Sequence, residues 1–215
     1  MALPVLIIGK SGAGKSTSLR NCINNTNFNL IKVLDKPLPF KGKIPTAVSD
    51  DYTKVMKTLA GSKASSIVID DAGYLINNYF MKNHSSKGAG NAVFSLYNTL
   101  ADNFWNMIQF IIQSLPTNKI VYIIMHEDVN DFGDIKPKTI GKLLDEKICL
   151  EGMFTIVLRA TKDNGSYKFV TQSDGGAVSK SPIGMFDTLE IDNDLKLVDE
   201  KIREYYEMNV ESEDK

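Results

Sequence analysis

Apolar residues in this chain fall into two spacings that alternate along its length. Near-continuous runs occur at Val5-Leu6-Ile7-Ile8, Leu30-Ile31-Lys32-Val33-Leu34, Ser66-Ile67-Val68-Ile69 and Lys119-Ile120-Val121-Tyr122-Ile123-Ile124-Met125. Runs of this length, rich in Val and Ile and closed by polar residues, predict strands buried on both faces of a parallel sheet. Helical spacing separates them. Residues 16–23 continue into a helix through Thr17, Leu19 and Ile23, and residues 53–59 form a short amphipathic helix closed by Gly61-Ser62. Residues 93–115 place Phe94, Tyr97, Leu100, Ala101, Phe104, Trp105, Ile108, Ile111 and Ile112 along a long helix that Pro116 stops. Repeated β-α units predict an α/β fold with a central, mostly parallel sheet flanked by helices.

The texture changes after Glu151. Phe154-Thr155-Ile156-Val157-Leu158-Arg159 and Tyr167-Lys168-Phe169-Val170-Thr171 flank Lys162-Asp163-Asn164-Gly165-Ser166, which predicts a C-terminal β-hairpin. A terminal helix follows over 194–208, capped by Asp194 or Asn193. No Pro- or Ser-rich linker divides the chain, so one domain is expected over 1–208, with a mobile, mostly acidic tail at 209–215.

Composition narrows the function classes. At 215 residues and 43% apolar content the chain can bury one large core, and a net charge of −1 gives no global attraction to nucleic acid or anionic membrane. No stretch approaches the ~20 apolar residues of a membrane span, and the start runs directly into the first strand, so a cytoplasmic protein without a membrane partner is expected. Cys22 and Cys149 form no metal-ligand spacing and read as reduced thiols.

Chemistry concentrates where the strands end. Gly9-Lys10-Ser11-Gly12-Ala13-Gly14-Lys15-Ser16 follows the first strand and opens a helix at Thr17, the context of a phosphate-binding loop. Its glycines let amide N–H groups approach phosphate oxygens, Lys15 reaches the β- and γ-phosphates, and Ser16 offers a hydroxyl to Mg²⁺. Ile67-Val68-Ile69-Asp70-Asp71 has the form of a Walker B strand, with Asp70 the second Mg²⁺ group. The bound species is therefore a nucleoside triphosphate with Mg²⁺. Asp71 is a candidate for polarising the attacking water, or else caps Ala72-Gly73; Asp35 and Glu127, at other strand ends, compete for that base role. His126 is a candidate γ-phosphate sensor, or else a strand-end histidine bonded to backbone. The polar segments 82–91 and 128–138, with Lys82, Lys87, Lys136, Lys138 and Lys142, offer phosphate-backbone contacts or act as plain connectors. Lys142 and Lys180 are candidates for reaching a neighbouring subunit's triphosphate.

Taken together, residues 9–16, Ile67-Val68-Ile69-Asp70-Asp71-Ala72-Gly73-Tyr74-Leu75, Met125-His126-Glu127 and Glu151-Gly152-Met153-Phe154-Thr155-Ile156-Val157-Leu158 resemble small one-domain phage P-loop ATPases with a RecA-like core. Thr171-Gln172-Ser173-Asp174-Gly175 and Lys180-Ser181-Pro182-Ile183-Gly184-Met185-Phe186 add to the resemblance. It covers most of the chain and points to AAA-type ATP-binding proteins of the phage single-strand annealing and recombination group. The resemblance implies ATP binding and Mg²⁺-dependent hydrolysis coupled to single-stranded DNA during recombination or replication, by a homo-oligomer. The chain departs from larger recombinases in having neither room for an appended DNA-binding domain nor a strongly basic stretch. Two other readings stand beside it: a nucleotide-dependent helicase loader or interaction module, and a small-molecule kinase, which the scarcity of arginines (Arg20, Arg159, Arg203) disfavours.

Overall fold

The apolar runs lie side by side in one sheet. The computed structural model describes residues 1–86, 91–131, 133–141, 143–173 and 175–208. Among the described residues nine strands are formed: β1 (Leu3–Gly9), β2 (Phe28–Lys32), β3 (Thr46–Val48), β4 (Ser66–Asp70), β5 (Ile120–Val129), β6 (Ile135–Pro137), β7 (Ile156–Asp163), β8 (Ser166–Val170) and β9 (Glu190–Asp192). Their order is β3-β2-β4-β5-β1-β7-β8-β9, with β6 paired to the end of β5. Strands β3 to β7 along this order run parallel, while β8 and β9 turn back antiparallel. This is the expected α/β architecture, a mostly parallel mixed sheet consistent with a RecA-like P-loop domain. The β7–β8 hairpin turns on Asn164 and Gly165, both at positive φ, as a two-residue loop requires.

Strand alternation splits the core into two layers. Leu6, Ile8, Ile67, Ile69, Val121 and Ile123 pack against α1 (Tyr52–Gly61), α2 (Gly73–Asn83) and α3 (Asn91–Ser114). Val5, Ile7, Val68, Tyr122 and Ile124 face the opposite side, under Leu19, Cys22 and α4 (Leu195–Tyr205). A buried polar knot ties α4 to this layer: Asp199 accepts hydrogen bonds from Ser66 Oγ (2.5 Å), Tyr122 Oη (2.8 Å) and Arg203 Nε (2.8 Å). Asp194 caps α4 by accepting from the Lys196 amide at 3.0 Å. Among the described residues no helix is long and apolar enough to cross a membrane.

Several expectations are corrected. The expected helix after the phosphate loop is a 3₁₀ helix, Ser16–Cys22, and stops short of Ile23. Three hydroxylated residues open it, and Ser18 Oγ donates back to the Lys15 carbonyl at 2.6 Å, competing with regular helical bonding. Residues 73–83 form α2, where no helix was expected, so the connector at 82–91 shortens. Phe94 and Trp105 are 70% and 42% exposed and lie outside the buried stripe of α3. The terminal helix ends at Tyr205. The tail 209–215 and Lys87, Lys142 and Asp174 lie outside the described residues.

Candidate active site

The carboxyl ends of β1, β4 and β5 meet at the phosphate loop. Strand β5 lies between β1 and β4, pairing Gly9 with His126 on one side and Ile69 with Ile123 on the other. Phosphate loop, Asp70 and His126 therefore arrive from three parallel strands at one edge, where ligands sit in open α/β sheets.

Within the loop, Gly12 and Gly14 adopt φ of +78° and +95°. Close packing adds a second constraint at Gly9, where a Cβ would lie 2.7 Å from the Ala160 carbonyl of β7. The buried Ala13 closes a turn through its amide to the Lys10 carbonyl at 3.2 Å. Lys15 lies almost fully under this loop, donating to the carbonyls of Gly9 (2.7 Å) and Lys10 (2.8 Å), with His126 Nδ1 at 3.4 Å. Burial lowers its pKa, opposed by the charges of Asp71, Asp70 and Glu127. Thr17, Gly12 and Gly14 line a 280 Å³ cavity over the loop.

Ser16 and Asp70 are in contact. Ser16 Oγ lies 3.0 and 2.9 Å from the two Asp70 carboxylate oxygens. Burial, then repulsion from Asp71, pushes the Asp70 pKa up to about 6, while the Ser16 hydrogen bond pulls it down. Hydroxyl and carboxylate oxygens beside a second carboxylate are the hard donors Mg²⁺ takes, so these residues fit the cation.

Asp71 follows β4 in the left-handed region, with φ +58°. That turn removes it from strand alternation and brings its carboxylate into the loop cavity. Lys36 Nζ sits 2.5 Å from one oxygen and His126 Nε2 3.8 Å from the other. The capping alternative is absent, because α2 starts without a side-chain cap. Burial and the neighbouring Lys15 lower the His126 pKa, opposed by Asp71, which favours neutral imidazole near pH 7. For Lys36 burial works toward a lower value, yet the hydrogen bond and charge of Asp71 raise its pKa overall.

The other two acids are held elsewhere. Glu127 is buried and accepts both prongs of Arg159, from Nε at 2.8 Å and Nη2 at 3.0 Å. Asp35 is exposed and pairs with Lys32 at 2.8 Å, outside the loop cavity. A second cavity of 550 Å³ adjoins the first, sharing Ser11, Lys36 and His126, and is lined further by Lys10, Tyr74 and Lys138. Of the candidate lysines of the polar segments, Lys138 lines this cavity. Lys82 pairs with Asp50 at 2.5 Å, Lys136 lines a separate cavity, and the backbone of Lys180 forms a bridge with that of Val157.

Sequence reasoning missed Lys36, Arg159 and Tyr167, the last an aromatic wall of the loop cavity. Lys36 follows a strand-end acid in Asp35-Lys36-Pro37, a usable signal; Arg159 and Tyr167 reach the site only through pairing of β7 with β1 and β8. A family model described as an AAA domain matches residues 1–183. No curated protein matches the chain.

Proposed function

This chain belongs to the AAA domain family, which makes it a nucleotide-binding domain of the P-loop ATPase type, and from that premise we propose that it is a Mg²⁺-dependent ATP hydrolase acting on single-stranded DNA. The reading places it in recombination or replication of a phage genome, as a homo-oligomer in the host cytoplasm. The observation that carries the hydrolytic part is the contact of Ser16 with Asp70 beside the Asp71 carboxylate, within reach of Lys15. In this mechanism the amides of residues 9–16 and Lys15 hold the triphosphate, and Ser16 and Asp70 hold the cation. Bound Mg²⁺ would neutralise charge on the phosphate oxygens.

Asp71 orients the attacking water and takes its proton, its carboxylate fixed by Lys36 and faced by His126. His126 lies between Lys15 and Asp71 and senses the terminal phosphate. Glu127, closed by Arg159, positions the end of β5 instead of moving protons. What supports a polymer partner is the adjoining cavity, whose Lys10, Lys36, Lys138 and Tyr74 suit phosphates and a stacked base. Because it shares Lys36 and His126 with the loop cavity, an occupant there would bear directly on hydrolysis.

The test is ATP hydrolysis with single-stranded DNA, double-stranded DNA and no polymer. Single-stranded DNA should stimulate turnover, and Lys15→Ala should abolish it in all three arms while leaving the fold intact. Equal rates in the three arms refute the single-strand reading and favour the helicase loader. Normal turnover by Lys15→Ala refutes the phosphate-loop assignment itself.

A further inference from the structure

One buried polar group near the phosphate loop is left without a partner. Asn193, between β9 and α4, is 1% exposed, and both its Nδ2 and its Oδ1 lack hydrogen bonds. Leaving a buried carboxamide unsatisfied is unfavourable, and native structures keep such groups where something else completes them. Its backbone is meanwhile anchored to the segment that follows the loop. Arg20 donates to the Asn193 carbonyl, and Asn21 Nδ2 donates to the adjacent Asp194 at 2.5 Å. The position of Asn193 relative to the phosphate loop is thus fixed in advance.

Tyr167 stands beside it. The β8–β9 register pairs Lys168 with Asp192 and Phe169 with Ile191, so one further rung sets Tyr167 against Asn193. A Cβ on Gly14 would lie 2.5 Å from Tyr167 Cδ1 and 3.3 Å from Asn193 Oδ1, which puts ring and carboxamide on the same side of the loop. The Tyr167 ring is half-buried, forms a wall of the 280 Å³ loop cavity, and carries Lys162 Nζ at 5.0 Å from its centroid.

The cavity has a direction. Lys36 and His126 gather on Asp71 and mark the end where the terminal phosphate belongs, and Tyr167 and Asn193 lie against Gly14, on β8 and just after β9. A triphosphate laid along the loop therefore carries its nucleoside toward β8 and β9. We propose that Tyr167 and Asn193 form the nucleobase subsite and that Asn193 selects adenine. The proposal rests on the ATP-binding reading above and adds the residues that read the base. The Tyr167 ring turns out from Gly14 to stack on the purine, uncovering the carboxamide. Asn193 then accepts from the 6-amino group and donates to N7, the edge on which a carboxamide and adenine are complementary and on which a 6-oxopurine offers two acceptors. Inosine and guanine carry an acceptor oxygen at position 6 and break it.

Calorimetric titration with Mg²⁺ present, using ATP, ITP and inorganic tripolyphosphate, tests this. Wild type should bind ATP roughly tenfold or more tighter than ITP. Asn193→Ala should reduce ATP to the ITP level and leave tripolyphosphate unchanged. Tyr167→Ala should weaken ATP and ITP alike, roughly fivefold or more, again sparing tripolyphosphate. Equal affinity of wild type for ATP and ITP overturns the proposal, as does an ATP preference that survives in folded Asn193→Ala. Should Asn193→Ala fail to fold, the wild-type ratio and Tyr167→Ala still decide. Wild type that binds tripolyphosphate without base preference refutes the subsite alone, whereas binding of none of the three ligands refutes the phosphate-loop reading.

Discussion

Replacing Arg159 by Met strips Glu127 of its partner at the point where β5 and β7 flank the end of β1. The pair has two-pronged geometry, at 2.8 and 3.0 Å, and the Glu127 side chain is 1% exposed against 22% for Arg159. Because the carboxylate is the deeper partner, Arg159→Met leaves an uncompensated buried charge, at a cost of about 3–5 kcal/mol. That is a large share of the ~5–15 kcal/mol that holds a domain folded. Glu127→Gln removes the charge from the buried side and should cost about 1–3 kcal/mol. The double variant Glu127→Gln/Arg159→Met should then be more stable than the sum of the single losses. Urea unfolding followed by fluorescence of Trp105, the chain's one tryptophan, measures all three. The catalytic arm is independent. With both oxygens on a guanidinium, Glu127 is not free to carry a proton, so Glu127→Gln should keep turnover within about tenfold of wild type, whereas loss of a general base costs about 10²–10⁴. A fall of that size in a variant with intact stability refutes the positioning role, and additive losses in the double variant refute the buried pair.

Three other outcomes are expected. Asp199→Ala deprives Ser66, Tyr122 and Arg203 of their common acceptor, costing about 3–5 kcal/mol and lowering Tm by about 6–20 °C; an unchanged Tm in a thermal scan would remove this knot from the account of stability. Lys36→Met should lower kcat by about 10² with little effect on unfolding, because Lys36 is half exposed yet holds Asp71 at 2.5 Å; wild-type kcat would show that Asp71 needs no such anchor. Cys22 is fully buried, and burial with the nearby Asp194 and Asp199 pushes its thiol pKa up to about 12, while Cys149 is exposed. A chromogenic disulfide reagent at pH 8 should therefore titrate one thiol in the native protein and the second only after denaturation, and two fast thiols would contradict the burial.

Local signals made the phosphate loop, β4 and the β7–β8 hairpin legible, since glycine spacing, continuous apolar runs and Asn164-Gly165 carry their structure within a few residues. Helix α2 was not legible because Asn77, Asn78 and aromatic residues give it weak propensity; packing on the sheet and on α3 supplies what the sequence window lacks. The three-residue strands β3, β6 and β9 are shorter than any periodic signal. At the site, the sequence named Asp71 and Glu127 as rivals of equal form. What separates them is partners from elsewhere in the chain: Lys36 and His126 around one, Arg159 closed on the other. A strand-end acid advertises its chemistry locally, but its availability depends on the strand beside it.

Placing β5 between β1 and β4 has a consequence for thermodynamics. Neighbouring strands are ~4.8 Å apart, so the loop and the Walker acid are carried on backbones about two spacings apart, with no direct pairing between them. No short peptide cut from this chain could reproduce the pocket, because its parts become neighbours only when three non-consecutive strands have assembled. Occupancy and folding are then a single linked equilibrium: ligand at 100 times its Kd adds about 2.7 kcal/mol to the stability of the whole sheet.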